Sequence, residues 1–230
     1  MARVRIRLQA KLDVKLTAKA ALDPGQIVQA ALNLLDEVGL DGLTMRRLAE
    51  KLDIKAASLY WHVRDKDELI VLLADEICAA MQAPDPAMPW REQLQQFAEE
   101  YRRVLLSHRD AARVLAQSGP PSGESRLNLV EILLDVVLKA GFSPKDAAYA
   151  GFLMNDYVTT FVIEETRYVA PPKGQQPPDE ATESWMDTLP ADKYPNIVAL
   201  APHWLNVNLD EQFHFGCEVI ADGLERRLNR

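Results

Sequence analysis

The sequence predicts an all-α fold in two parts, a small N-terminal three-helix unit followed by a larger C-terminal helical domain. Three observations predict it. Apolar residues recur at helical spacing in segment after segment, and no segment shows the period-two alternation of a half-buried strand over a useful length. Charge is also divided along the chain. Residues 1–66 hold twelve Lys and Arg against eight Asp and Glu, whereas residues 67–230 hold fourteen against twenty-six, so a basic unit precedes a strongly acidic one within a net charge of −8. A chain of 230 residues can bury a sizeable core without disulfide or metal staples. Cys78 and Cys217 both sit in apolar helical patterns and read as buried, reduced thiols.

Residues 1–22 read as a basic flexible arm. Arg3, Arg5, Arg7, Lys11, Lys15 and Lys19 stand against one acid, Asp13, before residue 20. Such an arm either solubilises the chain or lies along a nucleic-acid groove. Order is expected from Asp23-Pro24, where a capping carboxylate precedes a proline whose missing N–H costs nothing in a first turn. Ile27, Ala31, Leu34, Leu35 and Val38 then mark one helical face, and Gly39 supplies a stop. Thr44 caps a short second helix with Leu48 and Leu52 inward. After the tight connection Asp53-Ile54-Lys55, a third helix is expected over 56–62 with Leu59 and Val63 buried. Two short helices joined by such a turn are a helix-turn-helix, whose second helix fits the DNA major groove, so residues 23–66 read as a DNA-binding domain.

The remainder, residues 67–230, reads as a helical ligand-binding and dimerisation domain. A fourth helix from about Asp65 to Met81 ends in a cluster of Pro84, Pro86 and Pro89 and links the two parts. Further helices are expected through Leu94–Leu105, over 110–117 and over 125–139. The 125–139 segment carries two apolar stripes, as does the final helix at about 209–228, and this pair is expected to form a dimer interface with its symmetry mate. The helix between Lys145 and Glu165 is apolar nearly all round, interrupted by Asn155, Asp156 and Thr159. Asn155 and Thr159 share a face, where they either pair with one another or orient a small ligand against an apolar wall that includes Phe152. Glu164 is placed at the rim of that pocket. Residues 170–195, rich in proline and polar residues, read as a mobile loop in which Trp185 and Met186 are the bulky apolar residues. The absence of a signal-peptide core and of a long charge-free apolar run predicts a soluble, cytoplasmic protein without membrane association.

On the third helix, Ala56, Ala57 and Ser58 lead, and small side chains let a helix approach base edges closely. Lys55 precedes them. Tyr60 and His62 can donate to phosphate oxygens, Lys66 can add a charged contact, and Arg46 is long enough to reach a guanine edge. Trp61 either joins this surface or packs into a core.

The segment LTMRRLAEKLDIKAASLYWHVRDKDEL, Leu43 to Leu69, resembles the DNA-binding domain of the tetracycline-repressor family. Leu59-Tyr60-Trp61-His62-Val63 followed by Lys66 is especially similar to the tetracycline repressors themselves. The resemblance implies base reading by Arg46 and phosphate anchoring by Thr44, Tyr60, His62 and Lys66. A weaker likeness continues through 108–114, 140–143 and Phe215-Gly216 ahead of Gly223-Leu224-Glu225. It implies a homodimeric repressor that binds a palindromic double-stranded DNA operator and is released by a small-molecule inducer. Two positions where those repressors use histidine, one of them at a bound magnesium, correspond to Leu115 and Asp156. That departure implies a different inducer, with no metal and no cofactor. Two other classes compete: a DNA-binding head fused to an enzyme-like domain, and an architectural DNA-binding protein. Against an enzyme, the chain has no phosphate-cradling glycine loop, no His-Glu-x-x-His and no nucleophile elbow.

Overall fold

The computed structural model describes residues 23–169, 188–205 and 207–229. The basic arm of residues 1–22 and residues 170–187 of the expected loop, with Trp185 and Met186, lie outside the described residues. Every regular element among those described is a helix.

Helix α1 spans Pro24–Gly42, and the Asp23 N–H at its start donates to Gln26 Oε1 (3.4 Å). Gly39 interrupts it as the sequence suggests (φ 71°), but one more turn follows before Leu43. Only glycine suits this point, because a Cβ would stand 2.8 Å from Asp110 Oδ2 as well as in a disfavoured backbone region. Helices α2 (Met45–Lys51) and α3 (Ala56–Leu59) form the helix-turn-helix. Thr44 Oγ1 accepts from the Arg47 N–H at 3.2 Å and caps α2, and the connecting turn places Asp53 at φ 52°. Leu35, Leu40, Leu43, Leu48, Leu59 and Leu69 are fully buried and fuse these helices with α4 (Lys66–Cys78).

The expected third helix over 56–62 is shorter in the structure. Leu59 O accepts from both His62 N (2.9 Å) and Val63 N (3.0 Å), a tightened last turn that leaves Tyr60, Trp61 and His62 in a turn beyond the helix.

The larger part comprises α5 (Trp90–Leu106), α6 (Ala111–Gln117), α7 (Glu124–Lys139), α8 (Pro144–Val169), α9 (Pro195–Leu205) and α10 (Leu209–Leu228). Residues 188–194 of the expected loop are turns, and Pro195 already opens α9. Helix α7 packs against α4, α5 and α8 with Leu129, Leu133, Val136 and Val137 buried, while Leu127 and Leu138 stay exposed. One stripe of α7, Leu129, Ile132 and Val136, packs within its own domain, whereas the other is buried at Val137 and open to water at Leu127. The broader exposed apolar surface lies on α8, through Tyr149, Phe152 and Leu153, and on α10, through Phe215 and Val219. Helix α10 is clamped to α5 and α8 by Arg102. Its guanidinium bonds Glu165 (2.8 and 2.5 Å) and Asp210 (2.7 Å) and lies 4.8 Å from the centre of the Phe213 ring. Both cysteines are free and buried, and burial pushes each thiol up to about 12. No helix among the described residues is long and apolar enough to cross a membrane.

Candidate DNA-reading surface and ligand cavity

The first site is the outward face of the helix-turn-helix. Leu59 and Val63, four apart and buried, anchor a segment whose other side chains face water. Lys55, Ala56, Ala57 and Ser58 are exposed along the leading end of α3. Tyr60 is half exposed, and Trp61 is 89% exposed, so it is not a core residue. The side chains of Tyr60, Trp61 and His62 make no hydrogen bond to another described residue and can accept a partner. Arg46 projects freely and pairs with Glu50 across one turn (2.9 Å), an exposed contact that costs little to exchange. Thr44 spends an acceptor lone pair on its cap but retains its hydroxyl proton for an anionic oxygen. Lys66 is less available than the sequence implies, because its Nζ donates to Leu40 O at 3.0 Å. Arg47 and Lys51 are likewise turned onto the protein, through Gly42 O (2.9 Å) and Glu37 (2.6 Å).

The second site is an open-mouthed cavity of about 680 Å³ lined by α4 to α8. Leu115, Phe152, Asn155, Asp156 and Thr159 all border it. Glu164 does not: it pairs with Arg167 (2.6 Å) and faces a separate hollow beside Tyr157, Phe161 and Gln212. The reason is angular, since five residues along α8 from Thr159 turn its side chain well away from the cavity face. The polar stripe of α8 is joined by a residue that periodicity marks only as core. Tyr101 of α5 donates its phenolic O–H to Asn155 Oδ1 (3.1 Å) and lies 3.3 Å from Thr159 Oγ1. Burial holds this phenol protonated far above its ordinary range. Asn155 Nδ2 in turn donates to Asp156 at 3.1 Å. Arg126 and Cys78 also border the cavity and were not anticipated; Arg126 shares a helical stripe with Leu129, Val130 and Leu133, a position where arginine is unusual. Leu115 offers only hydrocarbon, and no three His, Cys, Asp or Glu side chains gather as a metal site among the described residues. Leu115 therefore supplies no ligand at the position where the resembled repressors place a histidine beside magnesium.

The two sites meet at α6. Its C-terminal residues Leu115 and Ala116 border the cavity, while the segment entering it grips the end of α1. Asp110, in the left-handed region (φ 59°), accepts from the Leu40 N–H at 2.8 Å. Asp36 accepts from Arg109 N (2.9 Å) and sits 2.9 Å from His108 Nδ1, and Arg113 pairs with Asp41 (2.9 Å).

Comparison with known proteins agrees with this division. Residues 27–73 match the bacterial regulatory proteins of the tetR family, and residues 83–228 match the tetracyclin repressor-like C-terminal domain. The chain belongs to the tetracycline-repressor family. Within it, the class A tetracycline repressor from transposon 1721 of Escherichia coli is 34% identical over 209 residues, covering 90% of this chain and 92% of that protein. Among solved structures, the TetR family protein ActR of Streptomyces coelicolor in complex with (S)-DNPA superposes with a TM-score of 0.79 at 33% identity, covering 90% and 98% of the two chains. BioQ with its double-stranded DNA operator superposes at 0.65, with 28% identity and coverage of 88% and 98%. As a member of this family, the protein is a ligand-responsive, DNA-binding transcriptional regulator.

Proposed function

We propose that the protein is a homodimeric cytoplasmic repressor without enzymatic activity, whose residues 23–66 read a palindromic operator and whose cavity takes the small molecule that releases it. Thr44 and Arg46 of the second-helix end, Lys55 to Ser58 at the head of α3, and Tyr60 to His62 supply the DNA contacts, with Lys66 in a supporting place. Leu115, Phe152, Asn155, Asp156 and Thr159 supply the ligand contacts. Glu164 is outside this set.

The observation that carries the reading is the position of α6, which borders the cavity at Leu115 and holds Leu40 of the DNA-binding unit through Asp110. A ligand that displaces Leu115 has one short helix through which to shift the reading head. The shift changes the separation of two heads that must reach successive major grooves, about 34–36 Å apart. Release is then a population shift between two packings.

A dimer needs an apolar face to bury, and α8 with α10 offers one in Phe152 and Phe215, each 69% exposed. The double variant Phe152→Glu, Phe215→Glu is expected to run as a monomer in light scattering and to lose operator affinity while its circular dichroism stays helical. An intact dimer in that variant would place the interface elsewhere.

A further inference from the structure

The cavity contains a positive charge without a counter-charge. Arg126 is only 8% exposed. Two of its five guanidinium N–H groups donate to main-chain carbonyls, Gly119 O (3.0 Å) and Pro120 O (3.3 Å), and the other three have no acceptor among the described residues. No carboxylate among those residues lies within ion-pair distance of it. Asp75 is close, but it accepts the main-chain N–H of Arg126 (2.9 Å) rather than the guanidinium. A buried charge held by neutral carbonyls alone is costly, and adding an anion beside it is correspondingly favourable.

Among the described residues, the rest of the wall supplies no competing cation or buried anion. Burial keeps Cys78 and Tyr101 protonated and neutral at physiological pH. Asp156 is the other charged group of the lining; it is exposed to water and already takes a hydrogen bond from Asn155. Most of the remaining surface is hydrocarbon from Leu129, Val130, Leu133, Leu134 and Ile163.

Resting on the cavity reading above, we infer that the ligand is an organic acid: an apolar body carrying a carboxylate, or an equally acidic oxygen, that docks on Arg126. The hydrocarbon wall buries the body, Arg126 takes the anion through charge-assisted N–H donors, and the Tyr101, Asn155 and Thr159 cluster orients any further oxygen. The overall charge of −8 works against non-specific anion capture, so a preference for an acid has to arise locally.

The test uses the full-length protein and two fluorescent probes, pyrenebutyrate and its neutral carboxamide, titrated at fixed ionic strength. The wild type is expected to bind the acid about tenfold more tightly than the amide, the size of one charge-assisted contact. Arg126→Met is expected to bring the acid down to the affinity of the amide while leaving the amide unchanged. Arg126→Gln, which keeps donors for the two carbonyls, makes the same comparison if the methionine variant does not fold. Arg126→Lys is expected to retain most of the preference. Equal binding of acid and amide by the wild type overturns the acid assignment and leaves the cavity reading standing. A preference that survives removal of the guanidinium overturns the role of Arg126. Gly151→Leu, which fills the cavity, is expected to abolish binding of both probes; binding that survives it, or no binding of either probe by the wild type, overturns the cavity reading together with this one.

Discussion

The candidate DNA-reading head holds its exposed side chains outside a small core, on two anchors, Leu59 and Val63, whereas the cavity sets Tyr101, Arg126 and Thr159 inside a large one. Exposed groups such as Tyr60 and His62, the proposed DNA contacts, stay solvated in the free protein and need little local support. Buried groups such as Tyr101 and Arg126 need acceptors at once, and the chain provides Asn155, Gly119 and Pro120. The same difference predicts how each region fails: an exposed contact of the head can be lost with the fold intact, whereas stranding a buried charge in the larger domain costs stability.

The largest expected effect is in the sensor. Arg102→Met strands Glu165, whose side chain is nearly buried, and is expected to cost about 3–5 kcal/mol in urea unfolding. A cost near zero would mean that water reaches Glu165 freely. In the head, Leu59→Ala removes a fully buried anchor, and a loss of about 2–5 kcal/mol is expected together with loss of DNA binding. Tyr60→Ala sharpens the contrast. Its melting temperature should match the wild type while affinity for an enriched operator falls by about tenfold, one lost bond to a charged oxygen; unchanged affinity would remove Tyr60 from the contact surface.

The last effect appears only at alkaline pH. Burial raises Cys78 and Cys217 from 9.0 to about 12, so the folded state favours the protonated thiols. Their contribution is complete below pH 9, where both states are protonated, and is lost as pH rises from 9 through 12, because the unfolded chain releases those protons first. The double variant Cys78→Ala, Cys217→Ala is expected to lose stability less steeply across that window. An identical slope would show the thiols to be solvated.

The head was legible because its information is contiguous. Cap, anchors, turn and exposed residues all fall within Leu43–Leu69, and local spacing decides which face each takes. The end of α3 was overestimated, since the doubled bond onto Leu59 O is not visible in a hydrophobic pattern. The cavity is assembled from five helices, and periodicity shows which face of a helix is apolar but not which helix it meets. Asn155 and Thr159 were therefore placed on a common face, while their partner Tyr101, more than fifty residues earlier, read only as core. The same limit applies to the apolar faces: two stripes on α7 do not reveal that α8 carries the broader exposed apolar face, through Tyr149, Phe152 and Leu153.

The central claim is that a sequence-reading head is repeated by dimer symmetry. Incubating the purified protein with randomised duplexes at one fixed, near-physiological salt concentration, then sequencing the bound fraction, tests it most directly, since salt alone can otherwise imitate affinity. Enrichment of an inverted repeat with half-sites about one helical turn apart or somewhat more is the predicted result. A bound pool that stays random would contradict the account and point to a DNA-binding protein that reads backbone and shape alone.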